Sequence, residues 1–116
     1  MDEQTTEGTL LRIFVGESDH AGRRPVWEEL LLRAREAGLA GATVTRGIAG
    51  YGASSVVHTT KVLRLSQDLP VVIEIVDRAE AVEAFRPVVE ELVTEGLVTA
   101  ERVSIWAYRG RAADEG

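Results

Sequence analysis

The chain has 116 residues, of which 45% are apolar and 28% charged, and its net charge is −6. This composition is typical of one globular domain and excludes a disordered or fibrous chain. The absence of cysteine excludes a disulfide scaffold, thiol catalysis and thiolate metal sites. We expect a cytoplasmic protein that neither inserts into a membrane nor binds nucleic acid, because no apolar run approaches the roughly 20 residues of a membrane span and acidic proteins bind phosphate backbones poorly.

The first half of the chain predicts a strand, a helix and a second strand. Over residues 10–15, Leu11, Ile13 and Val15 alternate with Leu10, Arg12 and Phe14, which is the period of a strand. A polar loop follows, and Pro25 suits the first position of a helix because its missing N–H would have no partner there. Apolar side chains then recur at helical spacing until Gly38, which ends the helix. Residues 43–48 are rich in β-formers and predict the second strand.

The second half repeats this order. Residues 71–76 (VVIEIV) form the clearest strand of the sequence. Asp77 stands where an N-cap would stand, with Glu80 as its capping-box partner. The helix that follows contains Pro87, which predicts a kink. Residues 103–108 close the chain as a final strand.

The predicted order β-α-β-β-α-β indicates the α+β ferredoxin-like sandwich, a four-stranded antiparallel sheet with two helices on one face. We expect a single domain over residues 9–109. Residues 1–8 and 110–116 carry no hydrophobic period, so they are predicted to be flexible tails.

The two faces of the predicted sheet carry different side chains, and the helices cover one of them. Val103, Ile105 and Ala107 are expected to face the helices. The opposite face is expected to pair Arg12 with Glu74 among apolar and aromatic side chains, namely Phe14, Val72, Val76, Trp106 and Tyr108. A solvated sheet face should be polar, so a second copy of the chain is the favoured cover. The alternative is a partly exposed apolar patch of ordinary size.

A long central segment lacks acidic residues. Residues 37–67 contain none of the chain's 19 Asp and Glu, and they carry three basic residues. Gly50 and Gly52 allow an anion to approach backbone N–H groups, and basic side chains add charge. The pattern indicates a phosphate-binding loop with Arg46, His58 and Lys61 as candidate ligands. The alternative is a simple turn with solvated cations.

The sequence offers no catalytic residues and no metal site. The two histidines, His20 and His58, are far apart, and no serine lies in a nucleophile elbow. Neither a Walker loop nor a G-x-G-x-x-G motif is present. An enzyme or a metal-tolerance protein would need a cluster of carboxylates and histidine, so we expect that the chain is not an enzyme.

Three segments together resemble the PII-like family known as domain of unknown function 190. They are residues 41–52 (GATVTRGIAGYG) followed by His58, residues 65–77 (LSQDLPVVIEIVD) and residues 95–99 (EGLVT). The match runs over about residues 10–108. More distantly, the first segment is similar to a strand and loop of true PII signalling proteins, which are ferredoxin-like trimers that bind adenine nucleotides between subunits and present a long loop to partner proteins.

The resemblance implies a homotrimer that binds an adenine nucleotide or a similar small anion in clefts between subunits. It also implies signalling to a partner protein through residues 50–66. No resident cofactor is implied, since the nucleotide would act as an effector. Carried over by position, the ligand-binding residues are Thr43, Gly50, Tyr51, Gly52, Gly96, Leu97, Val98 and Thr99.

Two departures from true PII proteins bear on the ligand. The spacing from Gly41 to Gly52 is one residue longer, and EGLVT replaces the Gly-rich, Lys-bearing phosphate segment after the second helix. These departures argue against a triphosphate and leave open a mono- or cyclic nucleotide, or no nucleotide. Members of this family resemble accessory proteins of ion transporters. The alternative function is therefore a nucleotide-independent accessory module for a membrane transporter.

Overall fold

The computed structural model describes residues 5–52 and 68–110. In chain order, the strands and helices of these two stretches are β1 (Thr6–Gly16), β2 (His20–Ala21), β3 (Arg24–Pro25), α1 (Val26–Glu36), β4 (Thr43–Arg46), β5 (Pro70–Arg78), α2 (Ala79–Leu92) and β6 (Leu97–Ile105). Four strands form one antiparallel sheet in the order β4-β5-β1-β6. The predicted ferredoxin-like fold is confirmed, with a short β2–β3 hairpin inside the predicted polar loop.

The core lies between the helices and one face of the sheet. Successive side chains of a strand point to opposite faces, and in β1 and β5 the odd-numbered apolar residues are buried while their neighbours are partly exposed. Both helices place their apolar sides on this face, so they cover the same side of the sheet. The least exposed large side chains are Ile13, Leu30, Ile73, Ile75 and Phe85.

The structure differs from the prediction in the bounds of the first and last strands of the sheet. β1 begins at Thr6, inside the segment predicted as a tail, because it pairs with β6 as far as Ile105. The last strand was predicted over residues 103–108 but runs over Leu97–Ile105. Residues 111–116 of the predicted C-terminal tail lie outside the described part of the chain.

The register of β6 also changes the faces. Val103 lies opposite Gly8 and Ile105 opposite Thr6, so both residues share the face of Leu10 and not that of the buried Leu11. The prediction that they face the helices is therefore wrong. Trp106 and Tyr108 lie beyond the end of the strand, 80% and 67% exposed.

The start of α2 is also different from the prediction. Asp77 belongs to β5, Arg78 is the N-cap, and no side chain caps the helix. The Asp77 carboxylate instead accepts hydrogen bonds from the backbone N–H groups of Ala40 at 2.8 Å and of Arg78 at 2.7 Å. Asp77 thereby fixes the turn between α1 and β4. The helix runs from Ala79 to Leu92 with Pro87 inside it.

The sheet face away from the helices carries the predicted ion pair. Arg12 Nε lies 2.8 Å from Glu74 Oε2, and Arg12 Nη1 lies 3.2 Å from Glu101 Oε1. The hydrogen bond to Glu74 is the main cause that raises the pKa of Arg12 above its ordinary value, so this guanidinium is charged at any ordinary pH. Beside the pair, Phe14 and Val72 remain partly exposed and face no other element of the described chain.

Candidate functional site

The start of the predicted ligand loop lies at one edge of the sheet. β4 pairs only with β5 among the described strands, and the chain then turns against the start of β5. Gly47 donates its N–H to the carbonyl of Pro70 at 2.8 Å. Gly50 has φ +153°, and a Cβ there would lie 3.0 Å from Pro70 Cγ. Both the backbone angle and the crowding favour glycine at this position.

The predicted ligands of this edge point in different directions. Thr43 lies opposite Glu74, so it shares the face away from the helices, whereas Arg46 lies opposite the buried Val71. Beyond the strand, Ile48 and Tyr51 are 80% and 75% exposed. The edge therefore presents a hydroxyl, a guanidinium and two uncovered apolar side chains. His58 and Lys61 lie outside the described residues.

In the folded chain, the acid-free segment contacts a carboxylate. Arg46 Nε lies 3.0 Å from Glu17 Oε1. Two further carboxylates, those of Asp19 and Asp68, accept backbone hydrogen bonds at 2.9 Å from Gly16 and Ser18. The predicted cationic loop thus begins beside the acidic end of β1.

Sequence reasoning missed Glu17, and the reason is topological. Glu17 and Arg46 are 29 positions apart, and nothing in the local pattern of either segment connects them. They meet because Gly16 lies opposite Pro70 while Arg46 lies opposite Val71.

The second predicted segment, Gly96 to Thr99, lies at the other edge of the sheet. Gly96 has φ +146°, and a Cβ at this position would collide with the carbonyl oxygen of Phe14. This glycine is required for the close approach of the two strands. Leu97 pairs with Phe14 and is 57% exposed, while Val98 is 39% exposed.

A single copy of the chain does not bring the two segments together. β5 and β1 separate β4 from β6, and at the usual spacing of strands this is a distance of about 14 Å. Both segments nevertheless lie at the same end of the sheet. From β4 to β6, neighbouring strands at this end pair Arg46 with Val71 and Val71 with Val15, and they bring Val15 next to the region of Gly96. The predicted site residues therefore occupy opposite edges at a common end.

Other kinds of site find little support in residues 5–52 and 68–110. No three His, Cys, Asp or Glu residues in these stretches are grouped so that they could hold a metal ion. Neither of the two helices there is long and apolar enough to cross a membrane.

A family model matches most of the chain. The model is DUF190, described as "Uncharacterized ACR, COG1993", and it matches residues 8–105. The chain belongs to this family. The relatives agree: a UPF0166 protein of Aquifex aeolicus is 43% identical over 83% of this chain and 90% of its own length. A UPF0166 protein of Methanocaldococcus jannaschii is 33% identical over 77% of this chain and 82% of its own length.

Solved structures similar to this DUF190 protein are PII-like. CPII from Thiomonas intermedia K12, bound to ADP and bicarbonate, has a TM-score of 0.58 at 20% identity, covering 89% of this chain and 92% of its own. A PII-like protein of Thermus thermophilus has a TM-score of 0.59 at 16% identity, covering 87% and 90%. At these identities the likeness establishes the fold, and the predicted resemblance to PII-like proteins is confirmed.

Proposed function

We propose that this DUF190 protein is a homotrimeric regulator that binds an adenine nucleotide or a similar small anion in clefts between protomers. It signals to a partner protein through residues 50–66 and catalyses no reaction. The ligand-binding residues are Thr43, Arg46, Gly50, Tyr51, Gly52, His58, Lys61, Gly96, Leu97, Val98 and Thr99.

The placement of the two site segments carries this proposal. The segment after β4 and the start of β6 lie at opposite edges of one sheet, at the same end. If the β4 edge of one copy contacts the β6 edge of the next, the two segments meet in a cleft between copies. A contact between two different surfaces of the same chain closes into a ring when the rotation allows it.

Uncovered apolar surface supports an assembly of this kind. Ile48 and Tyr51 at the β4 edge and Leu97 at the β6 edge are all more than half exposed. Phe14 and Val72 lie on the sheet face that no described element covers. Exposed apolar side chains at these places make the two edges and the uncovered face candidate interfaces.

The chemistry of the residues supports an anionic, aromatic ligand. Arg46 supplies a guanidinium, which binds phosphate through charge-assisted hydrogen bonds. Gly52 leaves the backbone open to a ligand, and Tyr51 offers an exposed ring that can stack on a base. CPII, which shares the fold, was solved with ADP, and this supports an adenine nucleotide as the class of ligand.

Isothermal titration calorimetry tests this function. The wild-type protein is titrated with AMP, ADP and ATP, and the Arg46→Gln variant is compared with Arg35→Gln. Arg35 is an exposed cation in the last turn of α1, so both variants lose one positive charge. We expect about tenfold or greater loss of nucleotide affinity in Arg46→Gln, because a charged hydrogen bond to phosphate is removed, and no loss in Arg35→Gln. No binding by the wild type at millimolar nucleotide would contradict the proposal.

A further inference from the structure

We propose that Glu17 holds Arg46 when no ligand is present and that it restricts the site to ligands of low negative charge. This inference rests on the proposed function, since it concerns the same anion site. It assigns a specificity role to a carboxylate outside the segments that the sequence indicates.

The ion pair between Glu17 and Arg46 is exposed, so a ligand can break it. Its N···O distance is 3.0 Å, and the Arg46 and Glu17 side chains are 52% and 38% exposed. An exposed pair in water contributes little to stability because both charges are well solvated. An anion that offers Arg46 a better partner can therefore displace Glu17 at small cost.

Glu17 itself cannot move far from the site, because the backbone around it is fixed. Its N–H donates to the carbonyl of Leu69 at 2.9 Å. The flanking N–H groups, those of Gly16 and Ser18, donate to the carboxylates of Asp19 and Asp68, each at 2.9 Å. After a ligand takes Arg46, the side chain of Glu17 can turn away, but its charge stays within a side chain's length of the bound anion.

The carboxylates of Asp19 and Asp68 bind the backbone on either side of Glu17. Both lie beside Gly16: a Cβ there would be 2.8 Å from one oxygen of Asp68 and 3.1 Å from an oxygen of Asp19. A ligand at Arg46 thus meets one guanidinium and, in contact with it, the carboxylate of Glu17.

This arrangement discriminates between ligands by charge. The attraction of Arg46 and the repulsion from Glu17 both increase with the charge of the ligand, but a second and a third phosphate group extend beyond the reach of one guanidinium. Glu17 repels each added charge, whereas the Arg46 guanidinium pairs with one phosphate group. The site should accept one phosphate group more readily than three.

Glu17→Gln tests the inference. The variant removes the charge, keeps the shape of the side chain, and leaves in place the backbone hydrogen bonds around it. Its control is Glu36→Gln at the exposed last residue of α1, which changes the net charge equally. The probes are AMP, with about two negative charges near pH 7.5, and ATP, with about four. Affinities are measured by calorimetry at low salt without divalent cations, and circular dichroism checks that each variant is folded.

We expect the wild type to bind AMP more tightly than ATP. In Glu17→Gln the ratio of ATP affinity to AMP affinity should rise about fivefold, because a nearby charge acts more strongly on the more highly charged ligand. In Glu36→Gln the ratio should stay at the wild-type value. If AMP binds and Glu17→Gln leaves the ratio unchanged, this inference is wrong and the proposed function stands. If no nucleotide binds to the wild type or to Glu17→Gln, the proposed function fails and the inference fails with it.

Discussion

Asp77 connects the end of β5 with the turn that precedes β4. Its carboxylate accepts hydrogen bonds from Ala40 at 2.8 Å and from Arg78 at 2.7 Å. The sequence instead predicts that Asp77 caps α2 in partnership with Glu80, and local spacing alone cannot distinguish these two roles. The bond to Ala40 spans 37 positions, so it depends on the tertiary fold.

The two interpretations of Asp77 predict different mutant stabilities. Asp77→Ala should lower the free energy of unfolding by about 1–3 kcal/mol, because two backbone donors lose a charged acceptor. Glu80→Ala should cost less than about 0.5 kcal/mol, because it removes only an exposed ion pair to Arg78. Urea denaturation measures both. A similar loss in the two variants would indicate a capping box and would contradict the observed contact.

At the scale of single residues, a sequence motif predicts some of the proposed ligands, whereas strand pairing brings other residues next to them. Thr43 and Gly50 could be proposed as ligands from the sequence because a motif carries them. Gly50 also has the backbone angle that explains why glycine stands there. Glu17 could not be found, since its contact with Arg46 arises from the pairing of β1 and β4 with β5. The whole group of ligands thus remains a prediction that binding measurements must test.

At the scale of elements, α2 contains a proline where a helix should not tolerate one. Pro87 has no N–H to donate and its ring crowds the carbonyl of residue 83, yet the helix continues to Leu92. The buried side chains Val82, Phe85, Val89 and Leu92 hold both halves of the helix against the sheet. Packing therefore compensates for a poor helix former in the interior.

Pro87→Ala tests this balance. Pro87 is exposed, so the substitution should raise the free energy of unfolding by about 1–3 kcal/mol through a regained backbone hydrogen bond and better helix propensity. Ala84→Gly, at another exposed position of α2, is the reverse control and should lower it by about 1 kcal/mol. Thermal denaturation measures both. A destabilised Pro87→Ala would mean that the proline ring is part of the packing.

The elements that the sequence predicts well are those with one buried face. β1, β5 and both helices bury alternating or helically spaced apolar residues, and this periodicity can be read without a structure. β6 is different. Most of its residues are exposed on both faces, so its sequence has no period that fixes where the strand begins. Pairing with β1 fixes its start at Leu97, six residues before the predicted position.

At the scale of the whole molecule, the described chain leaves surface that a single copy does not use. The edges beyond β4 and at β6 expose Ile48, Tyr51 and Leu97, and the sheet between them has one face covered by helices. In the proposed assembly these edges meet and form the ligand site. A membrane transporter as the partner stays a prediction, and so does signalling through residues 50–66.

The assembly itself is the claim on which the proposed function depends. Light scattering coupled to size-exclusion chromatography, at micromolar protein concentration, measures the mass of the particle directly. A ring of three protomers, each of 12.6 kDa, is the expected result with and without nucleotide. A monodisperse particle with the mass of one chain would leave the two halves of the site about 14 Å apart and would contradict the account.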